Sequence, residues 1–204
     1  MTDSTTESSA GKRERLVASA RTLLHQQGVE RTTIAEIAEA ADVPAGNVYY
    51  YFKTKDELIE AAVAARSDDL EHMLGALERF RSPQARLKGF VRAIVEQRDL
   101  AARYGCPHGS LCQELGKRDD DLQRSCAELL ELPLRWAERQ FREMGRRDAR
   151  ELAVGLIAAW QGALLLSNTF RDPDVTLREG RRLERWIDSL GKSRAGGFIK
   201  TDPE

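Results

Sequence analysis

Apolar residues along this chain of 204 residues recur at steps of three and four, in stretches separated by glycine, proline and helix-capping residues. This spacing places the apolar side chains of each stretch on one face of a helix. No segment alternates apolar and polar residues over the length of a strand with turn signals at both ends. Ala, Leu, Arg and Glu, which favour helices, are abundant. The pattern predicts an all-α protein of about nine helices.

The helix boundaries follow from capping residues, glycines and prolines. Gly28 ends the first predicted helix, Ser82-Pro83 begins the fifth, and Gly105-Cys106-Pro107 ends it. Asp172-Pro173 begins the last helix, which ends before Gly191. The nine predicted helices cover approximately residues 12–27, 33–41, 45–51, 55–80, 82–104, 109–115, 119–144, 149–170 and 172–190.

The segment from Thr33 to Lys55, TIAEIAEAADVPAGNVYYYFKTK, carries the most specific pattern. Thr33-x-x-Glu36 is a capping box that begins one helix, and Thr54-x-x-Glu57 is a second that begins another. Pro44 lies between them and separates two short helices, because proline clashes with the preceding helical turn. Two helices joined by such a turn form a helix-turn-helix, whose second helix enters the major groove of DNA. We therefore predict a helix-turn-helix over residues 33–52.

The first third of the chain closely resembles the DNA-binding domain of TetR-family transcriptional regulators. The matching positions are Lys12-Arg13-Glu14-Arg15-Leu16, Gly28, Thr32-Thr33, Ile37-Ala38, Val43, Gly46 and the run NVYYYFKTKDEL over residues 47–58. The resemblance implies a cytoplasmic homodimer, most readily a repressor, that binds a palindromic operator in double-stranded DNA and is released by a small-molecule effector. It also implies a DNA-binding domain over residues 11–56 and a ligand-binding and dimerisation domain over residues 57–190.

Several residues of the helix-turn-helix have side chains suited to DNA. Tyrosine hydroxyls and lysine amines can donate to phosphate oxygens, and Thr33 lies at a helix N-terminus that favours an anion. In the first turn of the second helix, only Asn47 can hydrogen-bond a base edge. Two alternatives stay open, since Tyr51 can instead be a core residue and Asn47 a solvated one. The predicted DNA-binding residues are Thr33, Ala45, Gly46, Asn47, Tyr49, Tyr50, Tyr51, Lys53 and Lys55.

The formal net charge of -1 and a pI of about 6.4 are not those of a basic nucleic-acid-binding protein. DNA affinity is therefore expected from a local group of cations and from two protomers acting together. Met1–Ala10 and Gly191–Glu204 are predicted to be flexible tails, and the first of these has no apolar core of a signal peptide. Three cysteines in such a chain indicate reduced thiols in the cytoplasm. The expected cations are Lys12, Arg13, Arg15, Arg31, Lys53 and Lys55.

The last two predicted helices carry apolar stripes that predict a dimer interface. In the helix over residues 149–170, small residues leave room for a partner helix to approach closely. TetR-like proteins pair these two helices with those of a second copy, although packing within one chain is the alternative. The predicted interface residues are Leu152, Leu156, Ala159, Ala163, Leu166, Phe170, Leu183, Trp186, Ile187 and Leu190.

The second domain should hold an apolar cavity with a few polar groups that orient a ligand. Gln161 and Asn168 are polar residues within an apolar helix and need partners if buried. Each candidate can instead be an ordinary core residue. The predicted ligand-binding residues are Phe90, Ile94, Gln97, Leu111, Trp136, Gln140, Trp160, Gln161, Leu164 and Asn168.

The segment from Gly105 to Leu111 resembles a glycine-cysteine junction of NemR-like and LmrA-like members of the same family. In some NemR-like proteins the cysteine at this place senses electrophiles or oxidants, so Cys106 is a redox candidate, and a thiol-based repressor is the alternative function. Nearby backbone N–H groups would lower the pKa of a thiol there. A metal site formed by Cys106, His108 and Cys112 lacks a fourth ligand at suitable spacing, although Glu114 and Cys126 stay open as one, and we expect no metal. No catalytic or cofactor-binding motif is present, so we expect neither an enzyme nor a cofactor.

Overall fold

The structure, a computed structural model, describes residues 9–118 and 120–192, and these residues contain helices and no strand. The predicted all-α class is confirmed. Most of the predicted tails, residues 1–8 and 193–204, lies outside the described residues. The helices are α1 (Ser9–Arg31), α2 (Ile34–Ala40), α3 (Ala45–Tyr51), α4 (Lys55–Leu77), α5 (Pro83–Glu96), α6 (Arg98–Tyr104), α7 (Gly109–Leu115), α8 (Asp121–Glu143), α9 (Ala149–Phe170) and α10 (Pro173–Lys192).

Two helices differ from the prediction. The helix expected over residues 82–104 is divided at Gln97 into α5 and α6, which explains the tenth segment. Neither proline nor glycine causes this break; α5 packs mainly against α10 and α8, whereas α6 packs mainly against α9. α1 extends from Ser9 to Arg31, but Gly28 within it has φ +83° and interrupts the helical geometry where the sequence places its end.

The buried apolar side chains form two clusters. The first joins α1–α3 and the first half of α4 to α7 and the start of α8, through Leu111, Leu115 and Leu129. The second joins the rest of α4 to α5, α6, the second half of α8, α9 and α10. A division of the chain at residue 56 therefore cuts through the first cluster, because α7 packs on the DNA-binding half although it lies in the other half of the sequence.

Candidate nucleic-acid interface and ligand cavity

The turn between α2 and α3 is held in place by backbone hydrogen bonds and by α1. Asp42 adopts a left-handed conformation with φ 51°, which aspartate tolerates better than most residues. The backbone N–H of Val43 donates to the carbonyl of Ala38 at 2.9 Å. Arg15 of α1 donates from Nε to the carbonyl of Ala41 at 2.7 Å. The Nε group of Arg15 therefore stabilises the turn and is not available to contact DNA.

One face of α3 is exposed and has no role in the protomer's own core. Val48 is fully buried, whereas Tyr49 and Tyr50 are 54% and 74% exposed. Asn47 is exposed in the first turn of the helix. A methyl group added at Gly46 would meet no atom within 4 Å. The packing of the described protomer core therefore requires neither glycine at position 46 nor the exposed aromatic side chains of Tyr49 and Tyr50.

Three other predicted DNA-binding residues make internal contacts. Tyr51 is half-buried and packs against the first apolar cluster. Lys53 is exposed and donates from Nζ to the carbonyl of Tyr49 at 2.9 Å. Lys55 is half-buried, and its Nζ donates to the carbonyl of Val29 at 2.6 Å, which indicates a structural role.

Thr33 offers less to a phosphate than the sequence suggested. Its hydroxyl accepts from the backbone N–H of Glu36 at 3.2 Å and donates to the Glu36 carboxylate at 2.8 Å. The same carboxylate accepts from the backbone N–H of Thr33, and this bond lowers the pKa of Glu36. A negative charge therefore already occupies the N-terminus of α2. Ala45 is exposed beside Gly46 and offers only its backbone and a methyl group.

A cavity of about 520 Å³ lies between α1, α4, α5, α6 and α9. This volume is within the range of small-molecule sites. Five predicted ligand-binding residues line it: Phe90, Ile94, Gln97, Trp160 and Leu164. Gln97 and Glu96 are exposed at its mouth, at the break between α5 and α6. The break that the sequence did not predict therefore forms the entrance.

The other five predicted ligand-binding residues do not line this cavity, and each has an internal role. Leu111 belongs to the first apolar cluster. The indole Nε1 of Trp136 and the amide of Gln140 both donate to Glu78, at 3.0 and 3.4 Å. Gln161 donates to Cys106 Sγ at 3.5 Å and Asn168 donates to the carbonyl of Ala102 at 3.2 Å. Their polar groups are satisfied within the protomer, which is the alternative that the sequence left open.

Five polar residues of the cavity were not predicted; Asp69 and Glu96 are exposed, whereas the other three are buried or partly buried. His25 donates from Nε2 to the carbonyl of Gly105 at 3.0 Å, and burial lowers the pKa of its imidazole. Burial also lowers the pKa of His108 to about 4, and His108 Nδ1 has no partner among the described residues. Arg66 is 9% exposed. The signal for Arg66 is its place among Ile59, Ala62, Val63 and Leu70, where it interrupts the buried stripe of α4.

Cys106 also lines the cavity, but its environment differs from the one expected of a reactive thiol. The backbone N–H of Gly109 donates to its Sγ at 3.3 Å, as the helix break suggested. Burial outweighs this bond and raises the pKa of the thiol. The thiolate is therefore disfavoured, and nothing in this geometry supports the thiol-sensing alternative. Cys112 donates from Sγ to the carbonyl of Cys126 at 3.0 Å. Unlike Cys106 and His108, it does not line the cavity, so the three residues do not converge there as metal ligands.

The wall of the cavity leads directly into α7, and α7 is bonded to the DNA-binding half. Gly105, Cys106, Pro107 and His108 line the cavity, and α7 begins at the next residue. The carboxylate of Glu114 in α7 accepts from the backbone N–H of Val29 at 2.6 Å. Since Lys55 binds the carbonyl of Val29, this peptide segment is held from both sides. The Glu114 carboxylate also lies 2.9 Å from where a Cβ at Gly28 would stand, and the φ of +83° there favours glycine in any case.

The predicted interface residues fall into two groups. Leu156 and Ala163 in α9, and Leu183 and Ile187 in α10, are buried in the protomer's own core. Leu152, Ala159, Trp186 and Leu190 are partly buried against it. Leu166 and Phe170 are 47% and 65% exposed. The sequence therefore placed part of the stripe on the wrong face of these helices, since four of its residues already pack internally.

An apolar stripe does remain exposed along α9. It consists of Val154, Gly155, Ala158, Leu165, Leu166 and Phe170. Among the described residues, α9 is the one helix long and apolar enough to cross a membrane by length and composition. Core helices pass the same test, and Leu156, Trp160 and Leu164 anchor α9 in the second apolar cluster.

Two parts of the chain match known families. Residues 16–62 match the bacterial regulatory proteins of the tetR family. Residues 83–179 match the C-terminal domain of LmrA/YxaF-like transcriptional regulators, which confirms the LmrA-like resemblance of the second half.

Relatives that match most of the chain are also transcriptional regulators. The transcriptional regulator AcuR of Cereibacter sphaeroides is 33% identical over 165 residues, which are 74% of each chain. An uncharacterized HTH-type regulator of Lactococcus lactis, from the lacX 3' region, is 30% identical over 88% of this chain and 95% of its own. The crystal structure of a regulatory protein TetR from Rhodobacter sphaeroides superposes with a TM-score of 0.76 at 28% identity, covering 85% of this chain and 97% of its own. The chain therefore belongs to the TetR family of bacterial transcriptional regulators.

Proposed function

We propose that this protein is a cytoplasmic repressor that binds a palindromic operator as a homodimer and leaves it when a small molecule enters the cavity beneath α5. TetR-family proteins are transcriptional regulators rather than enzymes, so the cavity is a sensing site in this proposal. The observation that carries it is the continuity between the cavity wall, residues 105–108, and α7, which is bonded to the DNA-binding half through Glu114.

DNA binding is assigned to the exposed face of α3. Tyr49 and Tyr50 donate from their hydroxyls to phosphates, Lys53 adds charge, and Asn47 reads a base edge. The open surface at Gly46 allows the helix backbone to approach the bases. Arg13 stacks its guanidinium on Phe52 at 5.0 Å and lies beside this face, so it contributes charge as well.

Release is assigned to a change in the spacing of two such faces. Two recognition helices must be about 34–36 Å apart to occupy successive major grooves. A ligand that binds one arrangement of the dimer better than the other shifts the equilibrium by that difference in affinity. The segment that lines the cavity and continues into α7 is attached to α1 by two hydrogen bonds, from His25 to Gly105 and from Val29 to Glu114.

The dimer is assigned to the exposed stripe of α9, with neighbouring residues of α10. Exposed apolar side chains in a continuous stripe indicate a surface that a partner covers. The small residues Gly155 and Ala158 in its N-terminal part permit close approach of the same helix from a second copy.

The proposal is tested by selecting DNA that the full-length protein binds from a random duplex library. We expect a palindrome whose half-sites are one helical turn apart. A fluorescence titration with that duplex then measures affinity with and without candidate small molecules. Selection of no preferred sequence, or of a single half-site bound by a monomer, would contradict the proposal.

A further inference from the structure

We propose that the cavity binds a small carboxylate, a molecule with one negative charge and an apolar body, and that Arg66 is the residue that pairs with the charge. This inference rests on the proposed function only in taking the cavity as the effector site. It adds a chemical class to the effector, for which the sequence predicted only an apolar molecule.

Arg66 is a buried cation without a matching anion. Its Nη2 donates to the backbone carbonyl of Arg21 at 2.5 Å, and its Nε has no partner among the described residues. It forms no ion pair within the part of the chain that the structure describes, although 16 such pairs occur there. Charged groups are rarely buried unless they are paired, because leaving water is costly for them.

The charges around Arg66 leave one positive charge uncompensated. Arg21, on the neighbouring α1, forms an ion pair with Asp69. Asp69 lines the cavity but its side chain is 60% exposed, so it faces the solvent edge of the site. Glu96 also lines the cavity and is exposed at the mouth. The two guanidinium groups therefore have one largely exposed carboxylate between them, which is paired with Arg21, and a single further negative charge would balance Arg66.

Burial and the neighbouring Arg21 lower the pKa of Arg66 to about 10. The guanidinium therefore keeps its charge at neutral pH, and both cavity histidines, whose pKa values are lowered, are neutral there. The unpartnered Nδ1 of His108 offers a second polar contact within the same cavity. A guanidinium binds carboxylate oxygens in a planar, two-pronged geometry, which a neutral amide or alcohol does not match.

The remaining lining is apolar and suits the body of the ligand. Leu70, Phe90, Ile94, Trp160 and Leu164 contribute side chains to it. Phe90 and Trp160 meet edge to face, with ring centroids 5.3 Å apart. An ion with no apolar part would leave this surface unfilled, so binding should improve as the apolar body grows until the 520 Å³ is filled.

The test is isothermal titration calorimetry of the full-length protein without DNA. The probes are straight-chain carboxylates from propanoate to decanoate together with phenylacetate, each compared with its primary amide. An alkyl phosphate series serves as a second anion. For the wild-type protein, we expect the best carboxylate to bind roughly 10- to 100-fold more tightly than its amide, and more tightly than the phosphate of equal chain length.

Three variants separate a charge effect from a folding effect. Arg66→Gln should abolish the preference for carboxylate over amide, and Arg66→Lys should keep part of it. Asp69→Asn removes a partly exposed negative charge from the edge of the site, so it should tighten carboxylate binding by about twofold or more. Because Asp69→Asn predicts a gain, misfolding cannot imitate it. Circular dichroism confirms that each variant is helical.

Equal binding of carboxylates and amides, binding of no carboxylate in the series, or a preference that survives Arg66→Gln would each overturn the assignment. Operator release is measured separately. Carboxylate binding that depends on Arg66 but leaves operator affinity unchanged supports this inference and contradicts the proposed release mechanism. Release of the operator by a neutral ligand, with no preference for carboxylates, supports the proposed release mechanism and contradicts this inference.

Discussion

The exposed face of α3 and the cavity beneath α5 differ in how the hydrogen-bonding groups of their side chains are satisfied. On α3, Tyr49 and Tyr50 lie at the surface, where water satisfies their hydroxyls until DNA replaces it. In the cavity, Arg66 and His108 each have a buried nitrogen without a partner among the described residues. The surface site loses little free energy while empty, whereas the buried site is destabilised until a ligand arrives.

This difference indicates where each function can be altered without loss of the fold. The tyrosine side chains of the α3 face can be changed with little effect on the protomer, because they are largely exposed and lie outside its core. In the cavity, a residue such as Arg66 also joins α4 to α1 through the carbonyl of Arg21. Variants there change stability and binding together, and they require controls of opposite expected sign.

The largest effect is expected from a charge on the exposed stripe of α9, through which the protein is proposed to dimerise. Ala158→Glu places a carboxylate on an exposed part of α9, so the protomer should fold. In the proposed dimer the charge is desolvated and unpaired, at a cost of about 3–5 kcal/mol. We expect monomers in analytical ultracentrifugation and a loss of operator affinity of roughly 100-fold or more.

Ala127→Glu, on the exposed face of α8, is the matched control and should stay dimeric. A normal dimer of Ala158→Glu with unchanged operator affinity would place the interface elsewhere. The two sites would then have to communicate within one protomer alone.

A smaller effect is expected on the α3 face itself. Tyr49→Phe and Tyr50→Phe should each weaken operator binding by about 1.5 kcal/mol, or roughly tenfold, because a hydroxyl donating to a charged phosphate is lost. Lys53→Ala should weaken binding to all sequences and reduce the salt dependence by about one counterion. Anisotropy titrations at several salt concentrations measure both quantities.

The melting temperature should stay unchanged in all three variants, since these side chains are exposed. Tyr104→Phe removes a hydroxyl from α6 and should leave operator affinity unaltered. If Tyr49→Phe and Tyr50→Phe bind the operator as the wild type does, the face assigned to DNA is wrong.

The connection between the two sites should respond to Glu114→Gln. This change keeps the shape of the side chain but weakens its hydrogen bond to the backbone of Val29, by about 1 kcal/mol. Ligand binding without DNA should be unaffected, whereas the ratio of operator affinities without and with saturating ligand should fall about fivefold. The ligand used is the tightest carboxylate of the calorimetric series.

Glu128→Gln removes an exposed carboxylate from α8 that makes no hydrogen bond or ion pair within the described residues. This variant should leave the ratio of operator affinities without and with saturating ligand unchanged. An equally large ratio in Glu114→Gln would show that α7 does not carry the signal.

The smallest effect separates stability from recognition at one position. Gly46→Ala should stabilise the protein by up to about 1 kcal/mol, since alanine favours a helix and no atom obstructs the methyl group. Operator binding should nevertheless weaken by about threefold, because the methyl group keeps the helix from approaching the bases closely. Thermal unfolding and anisotropy measure the two effects.

Gly75→Ala on α4 has equally open surroundings and provides the comparison. It should give a similar gain in stability and no change in operator affinity. Weakened binding in both variants would mean that Gly46 acts through the fold rather than through DNA contact.

The bounds of α3, α7 and α9 could be predicted to the residue, whereas the break at Gln97 could not. The first three have local signals, namely Pro44 before α3, the segment Gly105-Cys106-Pro107 before α7, and Asp172-Pro173 after α9. Gln97 has none, and what distinguishes the two sides of the break is tertiary packing, with α5 mainly against α10 and α8 and α6 mainly against α9. That break also forms the mouth of the cavity, so the site's entrance depends on tertiary packing.

The same reason explains which cavity residues were missed. Periodicity identifies the buried side of a helix but not whether a void or a neighbour faces it, so Gln140 and Asn168 were assigned to the cavity although both are satisfied internally. His25 lies in α1, far from the other lining residues in sequence. Arg66 could have been identified from the sequence, as a charged residue within the apolar stripe of α4.

The first apolar cluster has a consequence for protein engineering. Hybrid repressors are made by joining the operator-reading part of one regulator to the sensing part of another, and a boundary at residue 56 would follow the sequence. In this protein such a boundary would replace Leu111, Leu115 and Glu114, which pack on or bond to α1. A functional graft should therefore carry α7 and the first turns of α8 with α1–α4, and the exchange should be made in two segments rather than one.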